Sequence, residues 1–185
     1  MAIPSDDHML AFGKIIHHYA SAEAGIKITL SGLLKIELAR LLILTEPCSA
    51  MSLRNVAKSL VKGIWPEEDS KPREAFCQMV GDLGAFGPLR NSIGHSRWYD
   101  GTRPDSIKPA YVDIRSGTAK YFGVDEEERD WTVPELNAEA DKLLKLNQRI
   151  AKFLVTSGAL ANIDAMALAK REEMEAREGM PSKDS

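Results

Sequence analysis

The chain has two cysteines in 185 residues, Cys48 and Cys77, and neither belongs to a CxxC or Cys/His spacing. A disulfide framework and a zinc site are therefore not expected, and the usage fits a reducing, cytoplasmic setting. Aromatic residues are scarce at 6%, yet 44% of the chain is apolar and 28% charged, so a globular protein is expected in place of a disordered or collagenous one. A chain this long sustains a core without staples. Long apolar runs are missing: Leu30 to Leu44 is interrupted by Lys35, Glu37 and Arg40, and the N-terminus carries Pro4, Asp6 and Asp7 where a signal peptide would be basic. No membrane partner is expected. The chain also lacks GxxxxGK[ST], GxGxxG after a strand, GxSxG and HExxH, so nucleotide hydrolysis, dinucleotide binding, serine hydrolysis and zinc proteolysis lose their local marks. Of four histidines, His8, His17 and His18 form no i, i+4 pair, so no metal or cofactor is expected. The carboxylate pairs Glu67/Glu68 and Glu127/Glu128 lie in charge runs and read as solvated surface.

What is present is mostly helical period. From Ser5 to Leu44 apolar residues recur at steps of three and four, a pattern long enough for two helices or one bent helix, with Gly25 and Gly32 in its middle and Pro47 after its end. Apolar residues on more than one face between Ile26 and Leu44 suggest a partner surface. Met51 to Ile64 reads as a second helical region, followed by the polar connection Trp65 to Ser70. Another helix starts near Pro72, and Gly81, Gly84, Gly87 and Pro88 predict a break just before Arg90. After His95 the period stops. Asp100 to Asp105 has loop chemistry, and Ala110 to Arg115, Ser116-Gly117 and Thr118 to Phe122 predict one β-hairpin over about residues 110–122. Thr132-Val133-Pro134-Glu135 is a capping box that starts a helix ending at Gly158, and Asn162 to Glu178 is a last charged helix before a frayed tail from Met180 to Ser185. The expected fold is all-α: a helical bundle with one small inserted hairpin, divided into a helical domain at 1–158 and a charged C-terminal helix and tail at 159–185.

The net charge is −3, but its distribution is uneven. Between Arg90 and Lys120 six basic residues face three acidic ones, and Asp125 to Asp130 then adds five acids. Within the basic segment stands Leu89-Arg90-Asn91-Ser92-Ile93-Gly94-His95-Ser96-Arg97-Trp98. On a helix, Asn91 and His95 form an i, i+4 pair, so the Asn91 amide can hold the imidazole, while Arg90 sets a permanent cation beside a group that titrates near neutrality. A phosphodiester needs that combination: a proton donor or acceptor and a fixed positive charge for the phosphorane oxygens. Arg97, Arg103 and Lys108 can hold neighbouring phosphates, and Trp98 and Tyr99 can stack on a base.

This decapeptide resembles the motif of HEPN (higher eukaryotes and prokaryotes nucleotide-binding) domains, in which Arg, usually followed by a polar residue, is separated from His by four to six residues. Here four residues separate Arg90 from His95. The resemblance extends to the helical core, about residues 6–155. It implies a metal-independent endoribonuclease acting as a homodimer, with Arg90, Asn91 and His95 as catalytic residues and RNA as substrate, in a toxin or defence setting with an antitoxin protein as partner. Two other readings stand beside it. The same basic surface serves a non-catalytic RNA- or nucleotide-binding module or protein-interaction scaffold, and Arg, Asn and His also serve as anchors at a helix end, with His95 packed beneath Trp98.

Overall fold

A computed structural model describes residues 4–65, 70–113, 120–122 and 129–178 of the chain. Among them are seven helices: α1 (Asp6–Leu34), α2 (Leu38–Thr45), α3 (Ala50–Ile64), α4 (Ser70–Ala85), α5 (Gly87–His95), α6 (Val133–Thr156) and α7 (Ala159–Glu178). Four short strands accompany them: β1 (Arg97–Asp100), β2 (Ser106–Asp113), β3 (Lys120–Phe122) and β4 (Trp131–Thr132). The protein is mainly helical with a small antiparallel sheet, as the periodicities require. The expected Ser116-Gly117 turn, most of the 65–70 connection, most of the acidic run after Val124 and the 180–185 tail lie outside the described residues. Two compact units divide the chain, one of Met1–Glu23 with Gly81–Gln148 and one of Ala24–Val80 with Arg149–Ser185.

In the second unit the core is built from Ile26 and Leu30 of α1, Leu41 of α2, Leu53, Ala57 and Val61 of α3, Phe76, Met79 and Val80 of α4, and Ile150 of α6. Phe153 stands edge-on to Trp65 at 6.0 Å and tilted against Phe76 at 5.7 Å between ring centres, geometry that the ring quadrupoles favour. The long apolar pattern does divide into two helices, but the break is at Lys35, whose φ of 53° is left-handed, and not at either glycine. Ser31 Oγ donates to the Ile36 carbonyl at 2.7 Å and closes that break. Gly25 and Gly32 instead permit close approach: a Cβ on Gly25 would lie 2.8 Å from Ile150 Cγ2, and one on Gly32 would collide with the Ala159 backbone. Gly158, at φ +76°, ends α6 where the sequence places a stop.

In the first unit Ala11, Phe12, Ile15 and Tyr19 of α1 are buried, as are Leu83, Leu89, Trp98, Ile107 and Ala110, and Leu136, Ala140, Leu143 and Leu146 of α6. The expected hairpin is present as β2 paired with β3, from Tyr111↔Phe122 to Asp113↔Lys120. The sheet is larger than one hairpin, however. β1 pairs with β2 from Arg97↔Ala110 to Asp100↔Ile107, and β4 pairs with the start of β2. Strands of four and two residues are too short to show a two-residue alternation, so nothing in their sequences separates them from loop. The capping box forms: the Thr132 N–H donates to Glu135 Oε2 at 2.9 Å and the Glu135 N–H returns to Thr132 Oγ1 at 3.5 Å.

Candidate active site

α5 is short because both ends are specified. Pro88 occupies its first turn, where a missing N–H costs nothing, and Ser96 leaves the helix in extended conformation with its N–H on the Ser92 carbonyl. At about 100° per residue, Arg90, Gly94, Asn91 and His95 follow one another around roughly 140° of the helix, opposite the buried Leu89. Asn91, Gly94 and His95 are exposed and Arg90 is partly so. A Cβ added at Gly94 would meet nothing within 4 Å, which leaves bare backbone among the three candidate side chains.

The hydrogen bonding differs from the expected pairing. Asn91 Oδ1 accepts from Arg90 Nη1 at 3.2 Å, so the amide positions the guanidinium and not the imidazole. His95 has no hydrogen-bond partner among the described residues. Nor does His95 pack beneath Trp98. That indole is buried in the first unit, its ring centre 4.7 Å from that of Phe12.

Arg97, Tyr99 and Lys108 lie on one face of the sheet, because Tyr99 stands directly opposite Lys108 and Arg97 is two residues away on β1. Trp98, Ile107 and Pro109 occupy the other, buried face. Arg97 is exposed, and Tyr99 and Lys108 are partly exposed. The Arg103 guanidinium is engaged elsewhere. Its guanidinium meets both carboxylate oxygens of Glu135, at 3.1 and 2.8 Å, and donates to the Asp130 carbonyl at 2.6 Å. A fork-to-fork pair of this kind compensates its charge within the fold.

Two acids that the sequence reading did not single out for this role hold the β1–β2 turn. Asp130 Oδ2 accepts from the Thr102 N–H, from Thr102 Oγ1 at 2.6 Å and from the Arg103 N–H at 3.1 Å, with Ser106 Oγ at 3.2 Å. Burial pushes the Asp130 carboxyl up, but the donors of Thr102, Arg103 and Ser106 outweigh it and hold it below the usual range. The Arg103 guanidinium, then the Thr132 N–H, hold the Glu135 carboxyl down at about 2. The four residues from Thr132 to Glu135 marked a cap, and only the folded turn shows the arginine that shares it.

Among the described residues no cluster of three His, Cys, Asp or Glu side chains could hold a metal ion, and no single helix is long and apolar enough to cross a membrane. Comparison of the chain with protein-family models, with curated proteins and with solved structures returns no match.

Proposed function

We propose that the protein is a metal-independent endoribonuclease of the HEPN type, acting as a dimer. The observation that supports this most is the exposed arc of α5. Arg90, Asn91 and His95 share it with a bare glycine, and among the described residues no side chain engages the imidazole. In this reading His95 removes the proton from a ribose 2′-hydroxyl, whose oxygen then attacks the adjacent phosphorus. A second His95 protonates the departing 5′-oxygen, giving a 2′,3′-cyclic phosphate and a 5′-hydroxyl. Arg90, held in place by Asn91, stabilises the charge on the phosphorane oxygens. Each chain contributes one such histidine, so acid and base in the same turnover call for two copies. Arg97 and Lys108 hold flanking phosphates and Tyr99 offers a stacking face. DNA, without the 2′-hydroxyl, is spared. A cytoplasmic toxin or defence role, with an antitoxin protein as its partner, accords with this activity.

A second reading has its own observation. The face formed by Arg97, Tyr99 and Lys108 would bind RNA without any help from His95, as a non-catalytic module does. Cleavage of labelled mixed RNA in excess chelator separates the two. The enzyme reading expects His95→Ala to abolish cleavage while RNA binding and thermal stability stay at wild-type levels. A wild-type protein that binds RNA and leaves it intact favours the binding module.

A further inference from the structure

Met9, Gly13, Ile16 and Ala20 recur along α1 at steps of four, three and four, which aligns them in one stripe within about 60° of the helix. Met9 is 56% exposed and its neighbour Leu10 is 60% exposed. Between Met9 and Ala20 the stripe carries no charge, since Lys14 projects about 100° away from Gly13. Beside the stripe opens a cavity of about 710 Å³, with Phe12 of α1, Ile93 of α5 and Trp98 of β1 among its walls. Among the described residues of the first unit none fills it, and a surface with this spacing is a seam for a second helix.

The order of side chains along the stripe selects the second helix. Large and small residues alternate: Met9, Gly13, Ile16, Ala20. When two copies of such a helix cross antiparallel about a two-fold axis, Met9 meets the partner's Ala20 and Ile16 meets the partner's Gly13, so each large side chain enters a gap left by a small one. Parallel pairing would set Met9 on Met9 and Ile16 on Ile16. We infer that a second copy of this chain docks on the Met9–Ala20 stripe, α1 antiparallel to α1. Ile93 follows Arg90 by three residues on the same side of α5, so the docked copy covers the foot of the helix that carries the candidate catalytic residues. That consequence rests on the dimeric reading of the active site, whereas the docking itself is argued from α1 alone.

The test is molar mass by light scattering, with sedimentation at several micromolar concentrations, for wild type, Gly13→Ile, Gly13→Ile with Ile16→Ala, and Met9→Asp. A Cβ at Gly13 meets nothing within 4 Å and isoleucine has a better helix propensity than glycine, and a melt of the Gly13→Ile variant reads whether the isolated chain accepts the longer side chain. The wild type is expected to be a dimer. Gly13→Ile should weaken self-association by about tenfold or more without lowering the melting temperature, because two isoleucines then oppose each other. The double variant restores large against small and should recover most of that loss. Met9→Asp, at an exposed position, should dissociate the dimer without unfolding the chain. A monomeric wild type, or a Gly13→Ile and a Met9→Asp that both dimerise normally, overturns the inference. A wild-type dimer broken by these changes that leaves RNA uncut upholds this interface and overturns the ribonuclease reading. A monomer that cuts RNA does the reverse.

Discussion

Asp130→Asn should destabilise the unit that carries α5 by about 1–2 kcal/mol at neutral pH, and Asp130→Ala by about 2–4 kcal/mol, because one buried oxygen serves four donors from three residues. Counted alone, each hydrogen bond to a charged acceptor contributes roughly 1.5–3 kcal/mol. Four counted in full would approach the whole stability of a typical domain, about 5–15 kcal/mol. They do not add in this way. Thr102 and Arg103 are exposed, so water reaches their donors when the carboxylate is gone, and asparagine keeps a carbonyl oxygen in its place and loses the charge alone. The pH dependence discriminates. The folded-state carboxyl is held below its ordinary range, so its contribution is present above the unfolded carboxylate value and lost as pH falls through the folded one. Asparagine does not titrate. In urea denaturation followed by tryptophan fluorescence, the gap between wild type and Asp130→Asn should be full at pH 7 and close as pH drops below about 4. An Asp130→Asn protein as stable as wild type at pH 7, or a gap that ignores pH, would refute the assignment of this turn to its carboxylate.

Two glycines give opposite expectations. Gly32→Ala should lower stability by about 2–4 kcal/mol in a thermal melt, since its Cβ would lie within 2.9 Å of the Ala159 Cα and nearer still to its carbonyl, and a backbone cannot step aside as a side chain can. A Cβ at Gly94 meets nothing within 4 Å, so Gly94→Ala should stabilise α5 by about 0.5–1 kcal/mol, yet on the proposed ribonuclease reading it should cut RNA cleavage, because the methyl group would occupy the bare backbone beside Arg90 and His95. Unchanged cleavage in a folded Gly94→Ala protein would remove that backbone from the site.

How much of this was legible beforehand depended on length and burial. Helices of eight or more residues with one buried face announce themselves by a three- and four-residue period, which is why α1 through α7 fall close to their expected places. The four-residue strand β1 and the two-residue β4 have no period to read, and their identity comes from pairing with β2, a partner chosen by tertiary structure. Glycines misled for the same reason. Gly25 and Gly32 look like weak points in a helix when only propensity is considered, whereas their lack of a side chain is what lets Ile150 and Ala159 approach. The break belongs to Lys35, a residue that takes a left-handed conformation without any local mark in its type.

The residues of the candidate site were legible as a spacing, but their division of labour was not. An i, i+4 rule pairs Asn91 with His95, and the folded helix pairs Asn91 with Arg90 instead, because a long guanidinium on the preceding residue reaches the amide first. The apolar excess expected between Ile26 and Leu44 divides in the fold. Ile26 and Leu30, part of the expected apolar excess, are consumed by the second unit's own core, while Leu42, Ile43 and Leu44 remain exposed there. The stripe from Met9 to Ala20 escapes a count of apolar residues, since half of it is glycine and alanine. A helix face matters to a partner through its relief as well as its hydrophobicity, and relief is visible only once neighbours show which side is left uncovered. That same uncovered side runs to Ile93, one turn after Arg90, so the proposed docking surface of α1 adjoins the helix that carries the candidate site.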